Sequence, residues 1–130
     1  MASSELPLAA GPAIVRTIEL AAGLAELTAS VCGRDDLVER ARVLAREVAP
    51  LADLDAAAYE EFLRTRSDEA QARTIELPAR MAELATDAAG LAGEAAEAAE
   101  GAVRGDAAVG VLLGEAAAHA AALLVRINSG

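Results

Sequence analysis

The sequence predicts an all-α protein, an antiparallel bundle of about four long, kinked helices. Three observations predict it. Ala, Leu, Glu and Arg dominate, the composition of helical bundles. Apolar residues recur at helical spacing over long stretches, and no alternating strand pattern competes. Gly, Pro, Ser and Asp fall where such helices would start, stop or bend. The 130 residues suffice for one domain with a core. Apolar residues make up 55 % of the chain. Many of them are Ala, so helices can approach closely and few enclosed cavities should form.

Residues 1–10, "MASSELPLAA", carry no period and read as a loose arm. A single helical domain is expected over 11–130. Gly11-Pro12 suits a helix start, with Pro in the first turn. The first helix should run to about Cys32. Ile14, Ile18, Ala21, Ala25 and Thr28 mark its buried face, broadened by Val15, Leu20, Leu24, Leu27 and Val31. Gly33 suits a left-handed end. Asp35 can cap a second helix from about Asp36 to Arg66, kinked near Pro50. Ser67 and Asp68 can cap a third, Glu69 to about Glu100, bent at Pro78. After the break "EGAVRGD", Asp106 is expected to cap the last helix, Ala107 to about Asn128. That helix is apolar nearly all round and should be buried on most sides.

The net charge of −10, with no basic tract, argues against a nucleic-acid partner. All eleven basic residues are Arg, which excludes Schiff-base chemistry on Lys. Cys32 is the one cysteine, so neither an internal disulfide nor a zinc pattern is expected. No metal ligand set stands out. A start without a basic, then apolar, leader fits a cytoplasmic protein. "AAVGVLLGEAAAHAAALLV", Ala107 to Val125, is long enough for a bilayer. Glu115 and His119 in its middle favour a buried central helix of a bundle or oligomer over a membrane span.

Tyr59 and Phe62 are the chain's only aromatic residues and fall within "DLDAAAYEEFLRTR", Asp53 to Arg66. Asp55, Tyr59, Phe62 and Arg66 share one helical face by spacing. A carboxylate, two rings and a guanidinium in line suit a flat heteroaromatic ligand. The same residues also read as core with solvated ends. Asp106 reads first as a cap. His119 reads as a core or interface residue that can pair with Glu115, one turn earlier.

"DLDAAAYEEF" resembles the Asp-x-x-Ala-Phe/Tyr segment of the cyclodeaminase/cyclohydrolase family. That family includes the cyclodeaminase domain of formiminotransferase-cyclodeaminase and the methenyltetrahydrofolate cyclohydrolases. "TIELPARMAELATDAAGLA", Thr74 to Ala92, resembles its Val-Pro-Leu helix. "VRGDAAVGVLLGEAAAHAAALLVRIN", Val103 to Asn128, resembles its Ser-Asp turn and the helix ending in Val-x-Ile-Asn. The order is consistent past Arg34. Elsewhere the chain departs from the family. Gly11 alone stands in place of a Gly-rich Pro-Gly-Gly-Gly-Ser-Ala-Ala segment. "RTRSDEA" replaces a Lys near a Leu-Pro. Gly105 replaces the Ser of the turn, and Leu124 an Asn.

The resemblance implies a helical homodimer with folate sites near the subunit interface. It implies an enzyme, a cyclohydrolase or ammonia-lyase-type cyclodeaminase, on methenyl- or formimino-tetrahydrofolate or a related cyclic amidine. The folate is then substrate, with no tightly bound cofactor. Asp55 and Asp106 match the two acid positions and are the expected catalytic residues. Tyr59, Phe62, Arg66, Arg104 and His119 are the expected substrate-binding ones. Two other expectations stand beside this. The scaffold serves a cyclisation, dehydration or ring opening on a non-folate small molecule, or it is a non-catalytic dimer that binds a protein.

Overall fold

The computed structural model describes residues 9–130. The expected arm, residues 1–10, lies outside them but for its last two positions. Among the described residues the chain forms five α-helices and no strand: α1 (Ala10–Val31), α2 (Asp35–Val48), α3 (Leu51–Thr65), α4 (Asp68–Ala98) and α5 (Ala102–Ser129).

Helix α1 follows the expected period. Ile14, Ile18, Ala21, Ala25 and Thr28 are buried. It ends where Gly33 takes a φ of 72°, and the Arg34 N–H turns back to the Ala29 carbonyl at 2.9 Å. Leu20, Leu27 and Val31, expected to broaden the buried face, are exposed instead. At 100° per residue they project from the side roughly opposite Ile18, and none of the described helices covers that side.

The kinked helix expected from Asp36 to Arg66 is two helices. Pro50 cannot donate to the carbonyl four residues back and its ring crowds it, so α2 stops at Val48 and α3 starts after Pro50. Asp35 is not a cap. It is the first residue of α2, behind Arg34 at the N-cap position, where no side chain bonds the helix end. Helix α3 stops at Thr65, because Arg66 is left-handed (φ 54°) and gives its N–H to the Phe62 carbonyl at 2.8 Å.

Ser67 caps α4 as expected: its hydroxyl accepts from the Ala70 N–H at 3.1 Å. Pro78 sits inside α4, buried. A proline there leaves the Thr74 carbonyl, four residues back, without its helical donor. Asn128, near the end of α5, supplies one. Its Nδ2 donates to that carbonyl at 2.7 Å, and Gln71 Nε2 reaches the Asn128 carbonyl at 3.4 Å. Proline and asparagine thus form one joint between α4 and α5.

Helix α5 begins at Ala102, a turn earlier than expected, behind Gly101 with a φ of 70°. Asp106 therefore lies in the second turn and is not a cap. The Thr28 hydroxyl, fully buried in α1, donates to the Val103 carbonyl at 3.2 Å and ties the end of α1 to the start of α5. Gly114 lets α5 press on α4, since a methyl there would stand 2.8 Å from the Ala89 backbone nitrogen. Helix α5 was expected to be central, yet only 22 % of its most apolar window is buried. Val109, Leu112, Leu123 and Ile127 face outward, Leu112 with 65 % exposure. By length and composition α5 is apolar enough to cross a membrane.

The core has two parts. Ile14, Ile18, Val48, Leu51, Met81 and Leu84 fill one. Ala25, Leu37, Leu91, Ala92 and Ala107 fill the other. Arg40–Glu94, Arg42–Glu26 and Arg80–Glu47 pair across helices at 2.8–3.0 Å. All are exposed, so each adds little stability.

Candidate functional site

Asp55 leaves α3 toward the start of α1. A methyl on Gly11 would collide with its Oδ2 and stand 3.0 Å from its Cγ. The carboxylate is thus packed onto the first turn of α1. Half-burial there removes water from the charged form and pushes the Asp55 pKa up. Among the described residues no cation offsets that shift. A desolvated carboxylate with a raised pKa is suited to take up and return a proton.

The rest of the α3 set is only partly assembled. Tyr59 is 53 % exposed and Phe62 is half-buried. Arg66 does not continue the helical face. From its left-handed position its guanidinium folds back over the Phe62 ring, 5.1 Å from the centroid. One face of Phe62 is therefore covered by the chain's own cation.

Asp106 and Arg104 are exposed on the first two turns of α5. His119 was read as lying among alanines on a buried helix. It is exposed, beside Glu115. His119 and Glu115 line an open groove of about 520 Å³ between α4 and α5, with Thr86, Ala89, Gly90, Val111 and Ala118. A second groove, of about 430 Å³ between α2 and α4, shares Thr86 and Gly90. Neither includes an aspartate of the expected pair. Among the described residues no group of three His, Cys, Asp or Glu is placed to hold a metal ion.

The expected site residues thus occupy three places. Asp55 touches Gly11 at one end of α1. Asp106 lies within a turn of Val103, which is bonded to Thr28 near the other end. Seventeen residues of helix separate Gly11 from Thr28, so the two acids of one chain stand about 25 Å apart. His119, thirteen residues along α5 from Asp106, is about 20 Å from it. One chain does not bring the two carboxylates to one cleft.

Two contributing residues were given no site role in the sequence. Gly11 read as part of a helix start and as the one glycine in place of a longer run, and only its contact with Asp55 shows its role. Asn128 read as the end of a motif, and only its contact with Thr74 shows its role.

The family model described as formiminotransferase-cyclodeaminase matches residues 10–130, which is all but one of the described residues. No match to a curated protein was found.

Proposed function

The chain belongs to the formiminotransferase-cyclodeaminase family, and from that premise we propose that it acts on a one-carbon tetrahydrofolate or a related cyclic amidine, at a site shared by two copies of the chain. The observation that carries the reading is the Asp55 carboxylate, desolvated against Gly11 and without a salt bridge among the described residues. In the hydrolytic direction, water adds to the amidinium carbon between two nitrogens. Asp55 takes the water's proton, and the tetrahedral carbon forms. One C–N bond then breaks as a proton reaches the leaving nitrogen, and a formyl group remains on the other. Asp106 is the second acid. Tyr59 and the uncovered face of Phe62 form the platform for a flat ring, backed by Arg66, with Arg104 beside Asp106 as a further polar contact.

The separation of about 25 Å between the acids is what two copies resolve. A two-fold axis across the middle of α1 lays the start of one α1 beside the end of its mate. Along the helix axis this brings Asp55 of one copy to the level of Asp106 of the other, with Asp55 on the Ile18 side of α1. The exposed Leu20 and Leu27 of α1 and Leu112 of α5 supply apolar contact, and Gly23 has open space above it for close approach. Contacts of Thr74 with Asn128 and of Ala89 with Gly114 support an antiparallel α4–α5 pair within each copy. In this reading α5 is covered by the second copy in the cytoplasm and not by lipid.

A second reading has a specific observation in its favour. The chain has no Lys, and Arg66 occupies one face of Phe62. Both suit a scaffold turned to a non-folate cyclic substrate. Incubation with 5,10-methenyl-tetrahydrofolate, followed by loss of its ultraviolet absorption, decides between them. Turnover with thermal stabilisation by folate supports the first reading. Neither turnover nor stabilisation in an intact dimer supports the second.

A further inference from the structure

We propose that Gly11 is a positioning residue: its bare Cα admits the Asp55 carboxylate onto the first turn of α1 and sets the direction in which that carboxylate meets substrate. Glycine is not needed there for the backbone. Only Gly33 and Gly101 take positive φ among the described glycines, and Gly11 lies in regular helix. The space above Gly11 is what argues for glycine, and Asp55 fills that space. Its Oδ2, Cγ and Cβ are the three atoms nearest to where a side chain would grow. By contrast, Gly23 and Gly90 meet nothing within 4 Å.

The seat is dry and offers no hydrogen bond to the carboxylate. Ala9, at the N-cap position, offers no side-chain cap. Pro12 has no N–H, and the Ala13 N–H is taken by the Ala9 carbonyl at 3.0 Å. The N–H groups of Ala10 and Gly11 have no acceptor among the described residues and make no hydrogen bond to Asp55, so burial acts on the carboxylate without an offsetting donor. With Oδ2 turned to α1, Oδ1 is the oxygen left to face a ligand N–H or an attacking water. The role of that oxygen in turnover rests on the function proposed above, whereas the seat itself does not.

The test follows the Asp55 carboxyl by carbon-13 NMR through a pH titration, with Asp55→Asn to assign the signal. In Gly11→Ala the added methyl expels the carboxylate into water. Its titration midpoint then drops toward the ordinary aspartate range, and kcat falls while KM changes little. The stability lost in Gly11→Ala returns in the double variant Gly11→Ala/Asp55→Gly, measured against Asp55→Gly alone. An unchanged Asp55 titration in Gly11→Ala overturns the proposal, as does an equal stability loss with and without Asp55. Should Gly11→Ala not fold, folding of the double variant supports the seat, and failure of both overturns it. A wild type that shows the titration shift but no folate turnover refutes the folate reading alone.

Discussion

Asp55 combines two properties that usually oppose each other, a charge and a partly dry seat. Its pKa is raised in the folded chain, so the folded state holds the proton more tightly than the unfolded one. By linkage, the ionised group costs stability above its folded pKa. That cost fades as pH falls through the folded pKa and is gone below the ordinary value of 3.8. Asp55→Asn is therefore expected to be more stable than the wild type at neutral pH and equal to it in acid, while losing turnover. Urea unfolding at a series of pH values checks this. A pH-independent difference, or destabilisation at neutral pH, contradicts the assignment of burial as the cause. The apolar and acidic residues of α3 could be read from their spacing. The fold of Arg66 onto Phe62 could not, because helical periodicity does not report where a helix ends left-handed.

Among the elements, the helix boundaries that rest on local chemistry were legible. Gly33 and Ser67 each act where the sequence puts them, whereas Pro50, read as a kink in one helix, ends α2 and starts α3. The Pro78–Asn128 joint was not, because the two residues are fifty positions apart and the bond forms only once α4 and α5 pack. The joint makes a specific prediction. Asn128→Ala leaves the part-buried Thr74 carbonyl without a donor and should cost about 1–2 kcal/mol. In a Pro78→Ala background the helix supplies its own N–H to that carbonyl, so the same change should cost much less. A double-mutant cycle by chemical denaturation measures the coupling. Additive effects would separate the two residues. Misplacement of Asp106 has a related origin. An Asp after a glycine-rich break is a good cap by sequence, but Gly101 turns the chain a turn earlier, and α5 starts there.

On the scale of the whole molecule, an all-helical chain was plain from composition and period. Which helix faces would be covered was not. The sequence marks α5 as apolar nearly all round and thereby predicts burial, but a bundle this small leaves one side of α5 and one side of α1 bare. Exposed apolar faces of that extent mark contact surfaces. A second copy lying antiparallel on α1 covers them and brings Asp55 of one chain level with Asp106 of the other, the arrangement that a shared site requires. Asp55→Asn and Asp106→Asn, each inactive alone, should therefore complement each other. After unfolding and refolding as an equimolar mixture, half the dimers pair the two variants, and each such dimer holds one intact site. Activity on methenyl-tetrahydrofolate should return to about one quarter of the wild-type level. No recovery on mixing, with mixed dimers shown to form, would contradict a site built from two chains.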